Sequence, residues 1–266
     1  MKPDLAAVSR AVVAGMTLLV LAGGPSARGL AAQDRTVGSP ADRAIKADVQ
    51  RALSARDLGF VPPLDVDVAD GVVTLAGPVP TLWSKQEAVR RTLKAGKGRV
   101  QSVVVDVAIA RAENDRALAE AVIDRVRRYD RYTVFDDIQG NVQNGIVVLT
   151  GSVTEPKKAS DLTERIAKVR GVQEVDNKLV VLPVSGSDDR LRNSIAEAIY
   201  RDDIFSNYAN MTDPPIHVIV NHSRVTLVGY VRSQVERMKA ASLARDVYGV
   251  LNVEDKLELT GPAASR

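Results

Sequence analysis

Trp83, the chain's one tryptophan, is followed by six cations, Lys85, Arg90, Arg91, Lys94, Lys97 and Arg99. An aromatic ring with one polar edge, set beside basic side chains, suits a phospholipid surface. The ring enters the headgroup layer and the cations meet phosphates. Each such cation contributes about 1 kcal/mol near an anionic surface. A plainer reading covers the same residues. Trp83 extends the packing of a helix's first turn, Val89 and Leu93 form that helix's core stripe, and the cations are a solvated face. Trp83, Lys85, Arg90, Arg91 and Lys94 are therefore the candidate lipid contacts.

A second basic and aromatic cluster joins Arg125, Arg127, Arg128 and Arg131 to Tyr129 and Tyr132. Rings with arginines suit single-stranded nucleic acid, yet no Gly-x-x-Gly clamp lies between helices and the N-terminus argues for export. Nucleic acid is not an expected partner. The two histidines, His217 and His222, are five apart and so fall on opposite faces of a strand, which does not favour a shared metal. The acidic pairs Asp136-Asp137, Asp188-Asp189 and Asp202-Asp203 read as caps and solvated loops. No phosphate loop, nucleophile elbow or metal-spaced histidine pair is present in the sequence. No catalytic residue, metal or cofactor is expected, and the chain is read as a non-enzyme.

The elements that carry these residues repeat three times. A first helix shows Ile45, Val49 and Leu53, then Leu118, Val122 and Val126, then Leu191, Ile195 and Ile199. Both shifts are 73 residues, with apolar groups on one helical stripe. A hairpin follows, ending in Val73-Thr74-Leu75-Ala76-Gly77, Val147-Val148-Leu149-Thr150-Gly151 and Val225-Thr226-Leu227-Val228-Gly229. Those glycines are 74 and 78 apart, which puts about four extra residues inside the third copy. Asp70-Gly71 and Asn144-Gly145 are strong two-residue turn signals. His222-Ser223 in the third copy predicts a looser or longer turn. A second helix follows, with Thr154 as N-cap and Pro156 in its first turn in copy two, and a Ser233-x-x-Glu236 capping box in copy three. Gly171 and Gly249 end these helices, and a closing strand completes each unit.

The order αββαβ predicts an α+β fold: three tandem modules, each a three-stranded mixed sheet with two helices on one face. The closing strand lies parallel to a neighbour through a right-handed crossover. Module boundaries are read at 40–110, 114–183 and 188–259. Almost no slack separates the first two modules, so they are expected to be held firmly. Pro183-Val184-Ser185-Gly186-Ser187 predicts a hinge before the third. Gly77, Gly151, Gly229, Gly171 and Gly249 are read as structural, needed for positive φ or close backbone approach.

Residues 1–32 have the order of a secretory signal: basic ends, an apolar run over Ala11–Gly24, then small residues before Gln33. Cleavage near Ala31 or Ala32 is expected, and with it a periplasmic location. The sequence holds no cysteine, which excludes lipoprotein acylation and disulfides. The formal charge of +3 would fall to +1 on losing Lys2, Arg10, Arg28 and Asp4, so overall basicity is weak evidence for any partner.

The segment Val147 to Val153, followed by Gly171-Val172-Gln173-Glu174-Val175-Asp176-Asn177-Lys178-Leu179, resembles the BON domain, named for bacterial osmotic-shock and nodulation proteins. Copy three is similar through Val225 to Val231 and Gly249 to Leu257. Copy one matches through Gly77 and Val79 but has Arg99-Val100 for Gly-Val and Val105 for the asparagine. The resemblance spans residues 40–260. It implies a non-enzymatic envelope protein that associates with anionic phospholipid or a membrane surface under osmotic or envelope stress. The alternatives are a periplasmic scaffold binding another envelope protein, and an ion- or small-ligand-sensing module.

Overall fold

A computed structural model describes residues 39–260; the expected leader over residues 1–32 lies outside the described residues. Three modules follow one another. The first comprises α1 (Pro40–Leu53), β1 (Asp65–Ala69), β2 (Val72–Val79), α2 (Leu82–Gly96) and β3 (Ser102–Ile109). The second comprises α3 (Asp115–Arg127), β4 (Asp137–Gln143), β5 (Ile146–Val153), α4 (Pro156–Ala167), β6 (Glu174–Asn177) and β7 (Val180–Val181). The third comprises α5 (Gly186–Tyr200), α6 (Ser206–Ala209), β8 (Ile216–Asn221), β9 (Arg224–Val231), α7 (Gln234–Asp246) and β10 (Asn252–Leu259). The extra residues of copy three lie between α5 and β8, where α6 forms.

Each hairpin is antiparallel, and each closing strand runs parallel to the hairpin's second strand. The second module's closing strand is split into β6 and β7, which keep one register on β5. Val147 pairs with Val175 and Val225 with Val253, twenty-eight positions on, whereas Val73 pairs with Val103, thirty on. The two additional residues of copy one sit in the bend after α2. There Lys97 (φ 48°) and Gly98 (φ 79°) share the left-handed conformation that Gly171 (φ 95°) and Gly249 (φ 96°) carry alone. This is how copy one manages without the Gly-Val pair.

The core is three cores. Ile45, Val49 and Leu53 meet Val66, Val73 and Leu75 in the first module. Leu118 and Val122 meet Val147, Leu149, Leu162 and Ile166 in the second. Ile195, Ile199 and Phe205 meet Val218, Leu227 and Ala240 in the third. Alternate strand residues and the i, i+4 helix stripes point to one side of each sheet, so both helices cover the same face. The α2 stripe differs from the expected one. Ser84, Ala88 and Thr92 face inward, while Leu93 is half-exposed. These are the positions of Lys158, Leu162 and Ile166 in α4, and polar substitution at Ser84 and Thr92 hid the stripe.

The third hairpin also departs from expectation. His222 (φ 51°) and Ser223 (φ 60°) form the same two-residue turn as Asp70-Gly71 and Asn144-Gly145. The cause lies in the preceding helix. Asp188, buried in the first turn of α5, accepts the His222 N–H at 2.8 Å and the Ser223 N–H at 2.9 Å. Two charge-assisted bonds offset the cost of positive φ in residues that are not glycine. Asp115 likewise takes Asn144 N–H at 2.6 Å and Gly145 N–H at 3.0 Å, and Asp42 takes Gly71 N–H at 3.0 Å. The aspartates are 73 apart and staple helix to turn in every module. Asp188→Ala is expected to cost about 2–3 kcal/mol, since it strips a buried turn of both acceptors. Chemical denaturation of the variant would measure this, and Asp188→Asn should recover only part.

The junction before module three is docked, against the expected hinge. Leu182 packs with Ile219 and Val228 on the sheet face opposite the helices. Val134, in the loop between α3 and β4, accepts the N–H of edge-strand residue Val218 at 2.7 Å, and Phe135 packs against the third core. Tyr132 and His217 stack at 5.4 Å. The contact is made by Leu182, before the linker, and by a loop of module two, so the composition of residues 183–187 gave no sign of it.

Candidate functional site

Trp83 lies in the first turn of α2, where Thr81 caps the helix by accepting Ser84 N–H. Its ring is half-buried between modules, packed against the cores of both the first and the second. Lys168, just past α4, stands 4.8 Å above the ring, a cation–π contact. Leu82 beside it is buried in the second module's core. The covering surface includes Gly171, where an added Cβ would lie 2.5 Å from that of Ala112, and Gln173, whose amide donates to the Ile109 and Ala110 carbonyls. Trp83 is thus an anchor of the junction between modules one and two.

The cations that follow Trp83 divide into two sets. Glu87, buried on α2, accepts Arg90 Nε at 2.6 Å and Arg91 Nε at 2.7 Å. Arg91 reaches on to Asp57 and Arg99 bonds Asp48 at 2.7 Å, so all three guanidiniums are already paired. Hydrogen bonding from Arg90, then Arg91, outweighs burial and pushes the Glu87 carboxyl down to about 2 from an ordinary 4.5. A depressed carboxyl stabilises the fold fully above the unfolded value and loses that contribution as pH falls through the folded one. Acid titration of stability should therefore show a loss between pH about 4.5 and about 2 that Glu87→Gln flattens.

The second set is uncommitted. Among the described residues, Lys85, Lys94 and Lys97 make no ion pair. Helical spacing places Arg90, Leu93 and Lys94 on the outward side of α2, opposite Ser84, Ala88 and Thr92, and exposed Lys97 follows in the left-handed residue that ends the helix. Leu93 is 50 % exposed there. The result is a basic helix face with one apolar side chain in its middle. Of the candidates, Lys85 and Lys94 are free to meet an anion, Arg90 is exposed but paired, Arg91 is mostly covered, and Trp83 serves the junction.

The second basic and aromatic cluster is mostly consumed by structure, with Arg125 alone of its arginines outside any ion pair among the described residues. Tyr129 is buried and donates to Asp161 at 3.0 Å, with Arg165 over its ring at 4.7 Å. Burial first, then Asp161, pushes its phenol up to about 12. Arg128 pairs with Asp124, Arg131 with Glu155, and Arg127 with Asp213.

A polar clamp in each module escaped sequence reading. Asp136, expected in a solvated loop, is wholly buried and pairs with buried Lys158 at 2.7 Å. It also accepts Thr133 N–H and Oγ1 at 3.0 and 2.9 Å, and Thr154 N–H and Oγ1 at 3.0 and 3.1 Å. Thr154 is therefore bonded to Asp136, and the N-cap of α4 is Glu155, without a side-chain cap. In module three, Glu236 occupies the Lys158 position and accepts Tyr208 Oη at 2.7 Å and Arg232 N–H at 2.8 Å. Only the Ser233 half of the expected box forms. In module one, Ser84 donates to the Leu58 carbonyl at 3.0 Å. Three chemistries fix the loop after the first helix to the start of the second helix. The signal was available only as register, since these residues share no type.

Among the described residues no helix is long and apolar enough to cross a membrane, and no cluster of three metal-ligating side chains occurs. Compared with known families, the chain matches the BON domain over residues 41–110, 114–183 and 187–261. No curated protein matches. Solved structures that match include the C-terminal domain of CdsD, the structural protein of the type III secretion system of Chlamydia trachomatis. It shows 18 % identity over 81 % of this chain and 96 % of that one, with a TM-score of 0.23. A second structure of CdsD shows 19 % identity over 80 % and 91 %, also at 0.23.

Proposed function

The chain belongs to the BON domain family through all three modules, and from that premise we propose that it is a non-enzymatic envelope protein that associates with anionic phospholipid. BON domains are associated with membrane and phospholipid binding in envelope proteins. The observation that carries the reading to particular residues is the outward face of α2. Lys94 is uncommitted there, as is Lys97 just past the helix end, Arg90 is exposed, and Leu93 projects among them. Cations at headgroup phosphates with an apolar side chain below them are the minimum of an interfacial helix. Lys85 borders this face. Trp83 contributes by holding α2 at a fixed angle to module two. A periplasmic location follows from the signal-like leader.

Co-sedimentation with vesicles tests the proposal. Anionic vesicles should pellet the protein and zwitterionic ones should not, with binding lost as salt rises. Lys94→Glu with Lys97→Glu should abolish pelleting without changing the melting temperature. Equal pelleting on both vesicle types, or an unaffected double variant, contradicts it.

A further inference from the structure

Module three presents exposed apolar side chains at both ends of α7, whereas the corresponding donor end of module one and receiving end of module two cover each other. In the junction between those two, the first turn of α2 (Leu82, Trp83) and the end of β3 (Ile109) sit against the end of α4 and the Gly171 loop. The first-turn residues of α7 corresponding to this donor end include Val235, three residues before Met238, and the β10 counterpart of Ile109 is Leu259. On the receiving side, Leu251 is the counterpart of Gln173, and Tyr248 that of Arg170, which stands exposed beside the junction. Val235 is 67 % exposed, Met238 62 %, Tyr248 100 % and Leu251 75 %. Val235, Leu251 and Leu259 therefore stand in water at positions that the same fold, in the same chain, uses for module-to-module docking, and Met238 and Tyr248 flank them.

We propose that this face of module three binds a second copy of the chain, with two α7 helices antiparallel across a two-fold axis. Val235 and Met238 of one copy then meet Tyr248 and Leu251 of the other, and the reverse contact closes the pair. The intramolecular junction supplies the pattern: the N-terminal end of one second helix seats on the C-terminal end of the next. Both ends of α7 are apolar, so each copy offers donor and receiver at once. That is the self-complementarity a closed two-fold contact requires. Charge selects protein over lipid as the occupant. Arg232 pairs with Glu236, Arg237 with Asp255 and Lys239 with Asp202, which leaves Arg245 as the one cation of α7 without an ion pair among the described residues. No uncommitted cation set like that of α2 surrounds this patch.

Sedimentation velocity over a concentration series, without lipid, tests the proposal on the full chain. A monomer–dimer equilibrium is expected. Met238→Glu or Tyr248→Arg alone should weaken it about thirtyfold or more, as loss of a central contact does. Both together should restore it, because the new carboxylate of each copy faces the new guanidinium of the other. Melting curves should match the parent, since both side chains are exposed. A monomer up to about 100 μM, or a dimer indifferent to Met238→Glu, overturns the proposal. So does a monomeric parent whose vesicle binding is lost in Met238→Glu, which would give the face to the membrane. A failed lipid assay on α2 leaves this result untouched.

Discussion

Lys158→Met is expected to destabilise the second module by about 3–5 kcal/mol, the largest loss from any single side chain here. The residue looks dispensable in sequence, one of two adjacent lysines at the start of an amphipathic helix. In the structure its ammonium is buried against Asp136, whose carboxylate has no exposure at all. Four hydrogen bonds from Thr133 and Thr154 satisfy the lone pairs of Asp136, but none of them carries a balancing charge. Removing the lysine strands a charge in a low-dielectric site. Asp136→Leu should cost a similar amount for the converse reason, and the double replacement should recover much of the loss. Urea unfolding of the four proteins measures the coupling, and equal small effects in both single variants would contradict burial. The loss should spread further. Asp136 closes the loop that presents Val134 and Phe135 to module three, so the junction should loosen with it.

Gly229→Ala and Gly151→Ala are expected to cost on the order of 3 kcal/mol each, and Gly77→Ala about half of that. All three glycines lie at positive φ, from 108° to 127°, where an L side chain is strained. Their surroundings separate them. A Cβ at Gly229 would stand 1.9 Å from the Pro215 carbonyl oxygen, and one at Gly151 would stand 2.2 Å from that of Asp137. Backbone cannot yield there without breaking the hairpin register. At Gly77 the nearest atom is the tip of Leu64, at 3.3 Å, which can turn aside. Thermal melts should rank the variants in that order; equal losses would show that strain alone, without the close approach, sets the requirement.

The parts of the fold governed by local pattern were legible. Stripes such as Leu118, Val122 and Val126, the Asn144-Gly145 turn and the parallel closing strands follow from periodicity and chirality. Failures came where a polar residue took a core position or a long-range bond overrode a local preference. Thr92 hid the α2 stripe, and Asp188 tightened a turn that His222-Ser223 alone would leave loose. Asp136 has the look of a solvated residue because adjacent acids usually are, and its partner lies 22 residues away. The aspartates at 42, 115 and 188 repeat as regularly as the apolar stripes, yet an acid in a helix's first turn has a sufficient local reason to be there.

The candidate site was legible in composition and not in geometry. The sequence placed cations around Trp83, and helix periodicity allowed either a buried or an outward ring. Which cations are spent on Glu87 and Asp57 depends on side-chain pairing, and the seating of Trp83 depends on module two. Both are tertiary facts. What remains available to a ligand is the later half of α2, displaced toward Lys94 and Lys97 from the tryptophan that drew notice to it.

Hydrogen exchange of the full chain, followed by mass spectrometry with and without anionic vesicles, tests the membrane reading most directly. Slowed exchange should centre on peptides covering residues 85–99 and vanish with zwitterionic vesicles. Protection absent from those peptides, or confined to residues 235–251, would contradict it.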